Sequence, residues 1–222
     1  MKIIPIGQSG YIIRSGESEI ILDPYLSDSV LQAEGRARLL PIPITPESIN
    51  CDAVICTHDH LDHLDPDTVV KIPKDQFYVT TAQGVQHLKT LGRDNSVALS
   101  EGESIKIGAF ELVAVFAEHS CEAFGVILKA EGRVVYFSGD TLFSEKLFSV
   151  AEYKPDAVFI CINGRLGNMN AEQALEVARQ LGAPLNIPNH YDMFESNSAD
   201  PLTFVKHIAG GRILSFGEEF VL

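Results

Sequence analysis

Positive charge is scarce in this chain: 17 Lys and Arg stand against 30 Asp and Glu, for a formal net charge of −13. Phosphate backbones are held by many Lys and Arg, so this balance argues against nucleic acid as a general partner. It does not exclude a small anionic substrate, because divalent cations would dominate the field inside a pocket. No hydrophobic run approaches the roughly 18 apolar residues of a membrane span, so no membrane partner is expected. The opening Met1-Lys2-Ile3-Ile4-Pro5-Ile6-Gly7 is too short and too soon interrupted to read as a signal peptide, and the expected location is the cytoplasm. Paired cysteines are missing as well. Cys51, Cys56, Cys121 and Cys161 show no C-x-x-C spacing, which predicts neither a structural zinc nor a disulfide framework. Cys56 and Cys161 lie in apolar, strand-like segments and read as reduced core residues. Internal repeats, low-complexity tracts and linkers are absent. At 222 residues and 45% hydrophobic, the chain can bury a large core, and one domain over 1–222 is expected.

What the chain does contain is a dense histidine cluster. Thr57-His58-Asp59-His60-Leu61-Asp62-His63 packs three imidazoles and a spaced carboxylate into six consecutive positions. A shuffled chain of this composition would give H-x-H-x-D-H only roughly once in a few thousand tries. The strand-like Ala53-Val54-Ile55-Cys56-Thr57 precedes the cluster and the turn-rich Leu64-Asp65-Pro66-Asp67 follows it. The ligands are therefore expected on a loop at a strand's C-terminal end. Alternate positions of an extended loop point the same way, so His58 and His60 could grip one ion. Asp62 and His63, beyond the turn, could hold a second.

The opening third reads as short strands, Lys2 to Ile6, Tyr11 to Arg14 and Glu19 to Leu22, with turns at Gly10 and Ser15-Gly16. From Ser27 to Ile49 no periodicity is visible. An irregular loop bordering a pocket is expected there, carrying Arg36, Arg38, Leu39, Leu40 and three prolines. Val85, Leu88 and Leu91 recur at helical spacing between Ala82 and Leu91. Strands return between Ser96 and Ser138, including Phe110 to Phe116, Ala123 to Leu128 and Arg133 to Phe137, with a hairpin turn at Glu131-Gly132. The last third alternates: helix Leu142 to Val150, strand Ala157 to Ile162, helix Ala171 to Leu181, strand Leu185 to Ile187, helix Pro201 to Ile208, strand Ile213 to Ser215. The Ala171 helix carries its own punctuation, with Asn170 as N-cap and Gly182 as stop. Strands followed by strand–helix alternation imply layered α/β architecture with mixed sheets covered by helices.

Several other residues fall at strand ends. His119 closes the apolar strand from Phe110. His190 follows Leu185-Asn186-Ile187-Pro188. Asp140, in Ser138-Gly139-Asp140-Thr141, could be a metal ligand or the N-cap of the Leu142 segment. His87 and His207 lie on amphipathic helices beside Gln86 and Lys206 and read as solvated. Asp23 and Asp192 read either as partners orienting a metal-bound His or as plain turn residues. Arg165 could meet an anionic substrate group or simply be solvated, with Arg36 and Arg38 as weaker alternatives. Tyr191 lines a pocket or packs.

Taken in order, Thr57 to His63, His119, Ser138-Gly139-Asp140-Thr141 and His190 resemble the metallo-β-lactamase superfamily across essentially the whole chain. Ile21-Leu22-Asp23-Pro24-Tyr25, Gly167-Asn168-Met169-Asn170, Pro188-Asn189-His190-Tyr191-Asp192-Met193-Phe194 and Ala199-Asp200-Pro201 are similar to its L-ascorbate-6-phosphate lactonase branch.

The resemblance implies an α/β fold, a four-layer αβ/βα sandwich of two mixed sheets flanked by helices, with metals at the sheets' shared edge. It implies that His58, His60 and His119 hold one ion, that Asp62, His63 and His190 hold a second, and that Asp140 bridges them. That decides Asp140 in favour of ligand. The set is imidazole with two carboxylates and no thiolate, which suits zinc, manganese or iron; two divalent ions, Zn or Mn, are implied, and the branch resemblance leans toward manganese. The implied activity is a binuclear metal-dependent hydrolase in which a bridging hydroxide attacks a small substrate, a lactone or sugar-phosphate lactone, with Asp62 and Asp140 as catalytic residues. Alternatives are a phosphodiesterase or nuclease of the superfamily and a non-hydrolytic di-iron redox or sensor module. The resemblance leaves room for a homo-oligomer. Antibiotic hydrolysis fits poorly, because Asp140 stands where many such lactamases carry a cysteine.

Overall fold

A computed structural model describes residues 1–222. The first three strands, β1 (Lys2–Gly7), β2 (Gly10–Ser15) and β3 (Ser18–Leu22), form an antiparallel meander, as their alternating Ile and Leu residues predict. Three short parallel strands extend it: β4 (Ala53–Ile55), β5 (Tyr78–Thr80) and β6 (Ser96–Ala98). The second sheet begins with β7 (Ser104–Ile107), β8 (Phe110–Val115), β9 (Gly125–Ala130) and β10 (Arg133–Phe137), all antiparallel. It continues in parallel through β11 (Ala157–Cys161) and β12 (Leu185–Asn189). The hairpin between β9 and β10 turns at Glu131-Gly132, both with positive φ as so tight a turn requires.

The period of two in the strands assigns each side chain to a layer. Ile20, Leu22 and Ile55 of the first sheet meet Leu112, Val126, Leu128 and Phe159 of the second in the central core. The opposite face of the first sheet, Ile21, Val54 and Tyr78, packs on Val69 and on Leu88 of a helix. The opposite face of the second, Ile127, Tyr136, Val158 and Ile160, packs on Ala174, Val177, Ala178 and Leu181 of another. Those helices are α2 (Pro66–Val69), α3 (Ala82–Thr90) and α4 (Ala171–Leu181), and α1 is Ser29–Glu34. The result is the four-layer αβ/βα sandwich of two mixed sheets that the sequence predicts.

Helix α4 forms as its punctuation dictates. The Asn170 side chain accepts from Gln173 N, the Gln173 side chain accepts from Asn170 N, and Gly182 closes the helix at φ 65°. Elsewhere the local signals mislead. Residues 27–49 are not wholly irregular, since α1 lies among them. The expected helix at Leu142 begins later, as a 3-10 helix over Glu145–Tyr153 capped by Ser144, while Leu142 N donates to Glu118 O. The helix expected over Pro201 to Ile208 shrinks to α5 (Leu202–Val205). Ile213 to Ser215 forms no strand. Instead β13 (Phe220–Val221) takes the free edge of β1, while the preceding chain forms an isolated Asn186–Gly211 bridge with β12. Strand β5 and helix α2 were not anticipated, because three or four residues are too few to show a period.

Topology now positions the site. Strand β9 is antiparallel to both β8 and β10, and β10, β11 and β12 run parallel, so β8, β10 and β12 all end at one edge. An isolated bridge between His58 and Ala123, with Phe124 N donating to Thr57 O at 3.2 Å, joins the end of β4 to the same edge. No helix is long and apolar enough to cross a membrane.

Candidate metal centre

All seven residues predicted as ligands converge at that edge. His58, His60, Asp62 and His63 follow β4, His119 follows β8, Asp140 follows β10 and His190 follows β12. His58, His63, Asp140 and His190 are buried; His60, Asp62 and His119 are partly open. Their nitrogen and oxygen atoms group as His58/His60/His119, His58/His63/Asp140 and Asp62/His63/His190, each set within 4.8 Å.

Hydrogen bonds fix which ring nitrogen faces inward. Thr57 N donates to Asp23 Oδ1 at 2.7 Å and Thr57 Oγ1 donates to Asp23 Oδ2 at 2.9 Å. With its one proton spent there, Thr57 Oγ1 accepts from His58 Nδ1 at 3.0 Å. His63 Nδ1 donates to Asp23 Oδ2 at 2.8 Å, and His119 Nδ1 donates to Gly167 O at 3.1 Å. The Nε2 lone pairs of His58, His63 and His119 are therefore the free ones. His60 is reversed: its Nε2 lies 3.3 Å from Ser120 Oγ, and its Nδ1 faces His58 Nε2 at 3.0 Å and His119 Nε2 at 3.1 Å. Three nitrogens thus crowd one point with at most one proton among them.

The other half is more acidic. Asp140 Oδ1 lies 3.3 Å from His63 Nε2, and both atoms are buried without a hydrogen-bond partner. His190 Nε2 lies 3.2 Å from Asp140 Oδ2 and 3.5 Å from Asp62 Oδ2. Asn168 Nδ2 donates to Asp140 Oδ2 at 2.8 Å. A buried imidazole nitrogen and carboxylate oxygen that face each other without a hydrogen bond can be satisfied by a shared cation, which would replace the ring proton that Asp140 favours in its absence. The donor set fits a metal on this observation.

Electrostatics divide the halves similarly. Burial holds His58 well below its usual pKa and lowers His60 and His119, so these rings are neutral, as ligands must be. Burial also opposes charge on His190 and His63, but Asp140 and other carboxylates outweigh it, pushing His190 up to about 9 and His63 well up. Burial opposes charge on Asp140 and, less completely, on Asp62, yet the neighbouring His63 and His190 hold both carboxyls ionised, far below the usual range.

Of the two readings of Asp23, the structure shows the histidine partner. Asp140 caps no helix. The other expectations fare unevenly. Arg165 is exposed, and its Nη1 donates to Ser196 O at 2.9 Å. Tyr191 and Asp192 border a separate small cleft with Tyr11 and Leu40. The reason is backbone direction: His190 sits at φ 57°, which turns the next residues away. Arg38 is spent on the carbonyls of Ser27 and Leu40, with its guanidinium over Tyr25. His207 is solvated as expected. His87 is not: its Nδ1 contacts Asp59 Oδ1 at 2.5 Å beside the site.

A cavity of about 510 Å³ opens over the cluster, bordered by His60, Asp62, Asp140, His190, Arg36 and His87. Arg36, paired with Glu34, is thus the guanidinium at the cavity. Gln8 escaped the sequence reading altogether. It is buried at φ 54° in the β1–β2 turn, and its Nε2 reaches Asp62 Oδ2 at 2.5 Å and His190 Nε2 at 3.0 Å. A polar residue bracketed by Gly7 and Gly10 was the only available signal.

Two mixed sheets with helices outside and a His/Asp cluster at their common edge define a class of metal-site sandwich. The family model described as "Beta-lactamase superfamily domain" matches residues 18–191, and the chain belongs to that family. It is 28% identical to a "UPF0173 metal-dependent hydrolase" of Oenococcus oeni over 99% of both chains. It is 29% identical to one of Saccharolobus solfataricus over 90% of this chain and 88% of the other. Among solved structures it is similar to a metallo hydrolase of the archaeon Ignicoccus hospitalis, with TM-score 0.80, 23% identity, and 100% and 98% of the two chains covered. It is also similar to an isothiocyanate hydrolase from Delia radicum gut bacteria, with TM-score 0.83, 19% identity, and 100% and 99% covered. Likeness at these identities shows the shared metallo-β-lactamase fold.

Proposed function

We propose that this chain is a binuclear metal-dependent hydrolase of a small polar substrate, with a lactone or sugar-phosphate lactone as the leading class. The observation that carries the reading is the buried pair His63 Nε2 and Asp140 Oδ1, orphaned at 3.3 Å amid five imidazoles. The name "metal-dependent hydrolase" borne by the relatives supports it. His58, His60 and His119 would hold one ion, Asp62, His63 and His190 the other, with Asp140 shared between them. Zinc and manganese both suit this set. Ions so held lower the pKa of water toward neutrality and polarise a carbonyl or phosphoryl oxygen.

The chain's own residues do the rest. Asp62, kept ionised by His63 and His190, takes the proton of the attacking water and returns it to the leaving oxygen. Arg36 at the cavity wall attracts an anionic group on the substrate. The 510 Å³ cavity is bordered mainly by polar side chains, which favours a small, hydrogen-bonding substrate.

Elemental analysis of the purified protein, followed by a screen of lactones, sugar-phosphate lactones, phosphodiesters, β-lactams and isothiocyanates, tests this. A colourless protein with two Zn or Mn per chain that opens lactones is the expected result. A coloured di-iron protein inert to every substrate would overturn it.

A further inference from the structure

Gln8 comes from a turn that no ligand motif includes, yet its side-chain amide is embedded in the acidic half of the centre. Its terminal atom lies 2.5 Å from Asp62 Oδ2 and 3.0 Å from His190 Nε2, two atoms of the Asp62/His63/His190 group. The head of Gln8 is therefore in direct contact with two of the three atoms proposed to hold one ion.

The backbone around it is built to hold it there. Gln8 is not glycine, yet it sits at φ 54°, a region that side-chain-bearing residues enter only when the surroundings impose it. The turn is fastened to the end of β12, immediately before His190: Asn189 Nδ2 donates to Ser9 Oγ at 3.1 Å, and Tyr11 Oη donates to Asn189 Oδ1 at 2.7 Å. A Cβ at Gly10 would meet Ile6 Cγ1 at 2.8 Å and Gly7 O at 2.9 Å, so the turn can close this tightly only with glycine at that place. Gln8 itself is 6% exposed, and its amide is aimed inward.

The contact with His190 shows what the amide can do. The amide nitrogen can donate to His190 Nε2 only in a neutral form of the ring with that nitrogen unprotonated, a form that Asp140 and Asp62 disfavour in the metal-free protein. Once the lone pair is given to a cation, the donor loses its acceptor, and the oxygen of the same amide, nearly isosteric with the nitrogen, becomes the favourable end. We propose that Gln8 is a further ligand of the ion held by Asp62, His63 and His190, contributed through Oε1 after a half-turn of its amide. The proposal rests on the metal-centre reading above. A neutral amide oxygen is a hard donor that suits Mn²⁺ better than Zn²⁺. The half containing Gln8 is thereby biased toward manganese, whereas His58, His60 and His119 supply nitrogen only.

The test uses the full chain stripped of metal, titrated calorimetrically with Mn²⁺ and separately with Zn²⁺, in wild type, Gln8→Met and Gln8→Glu. Circular dichroism melting confirms that each variant is folded. The wild type is expected to take two ions. Gln8→Met fills the same space without the hard donor and is expected to weaken the second Mn²⁺ site about 10- to 100-fold, with a smaller loss for Zn²⁺. Gln8→Glu keeps an oxygen at that place and is expected to tighten Mn²⁺ binding, whereas a residue that merely donated to Asp62 would weaken it by adding a second carboxylate beside the first. Two sites of unchanged affinity in Gln8→Met, or equal losses of both metals in both variants, would overturn the role of Gln8 while leaving the centre standing. A wild type that takes up neither metal would overturn both.

Discussion

Asp23 and His63, 40 positions apart in the chain, meet as a buried carboxylate accepting the Nδ1 proton of an imidazole at 2.8 Å. The same carboxylate accepts from Thr57 N and Thr57 Oγ1, and Thr57 Oγ1 in turn accepts from His58. One side chain thus sets the tautomers of two proposed ligands, one in each half of the centre.

Replacing that carboxylate should therefore weaken both halves. Asp23→Ala is expected to lower metal affinity about 10- to 100-fold, as loss of such supporting partners does elsewhere. It also strands buried donors, at about 1–3 kcal/mol for each one left unpaired. Metal titration and thermal melting measure the two effects separately, and unchanged binding would show that the rings orient without Asp23.

Asp140→Asn retains shape while removing charge from the residue proposed to be shared between the ions. Turnover on whichever substrate the screen identifies is expected to fall by several orders of magnitude. Near-native turnover with both metals retained would remove Asp140 from the chemistry.

Gly167 lies at φ 89°, and a Cβ there would stand 2.7 Å from His119 Nδ1. Gly167→Ala should push His119 off its carbonyl partner, lowering affinity for the ion of the all-histidine half and lowering the melting temperature. A crystal structure of the variant with His119 unmoved would contradict this.

Acidity should reveal itself in the metal-free protein. His190 is raised to about 9 by Asp140 and Asp62 against the effect of burial. A raised folded-state pKa means that the folded form binds the extra proton, so its stabilisation is complete below the unfolded value near 6.5 and is lost as pH rises through about 9. The melting temperature in chelator should decline across that window. With metal bound, the ring nitrogen is occupied and the decline should flatten. Parallel melting curves with and without metal would refute the coupling.

Where the sequence misled, it did so for physical reasons. The spacing of His58 to His63 is local chemistry, and strand-end positions for His119, Asp140 and His190 follow from apolar runs that stop just before them. Helix α4 carried its own cap and stop. By contrast, the helix expected from Leu142 begins only at Glu145, because the bond from Leu142 to Glu118 is invisible locally. His87 was read as solvated because its partner, Asp59, lies 28 positions away. Which of Arg36 and Arg165 borders the cavity is not legible either, because a loop arginine in sequence carries no information about which carbonyl it will meet.

The residues alone determined the layered architecture and the donor chemistry, since periodicity and motif are written in neighbouring positions. Tertiary structure alone decided which nitrogen of each ring faces inward, which guanidinium borders the cavity and that Gln8 reaches His190 across 182 positions. Such contacts depend on where strand ends meet once two sheets have packed, and no local pattern encodes that meeting.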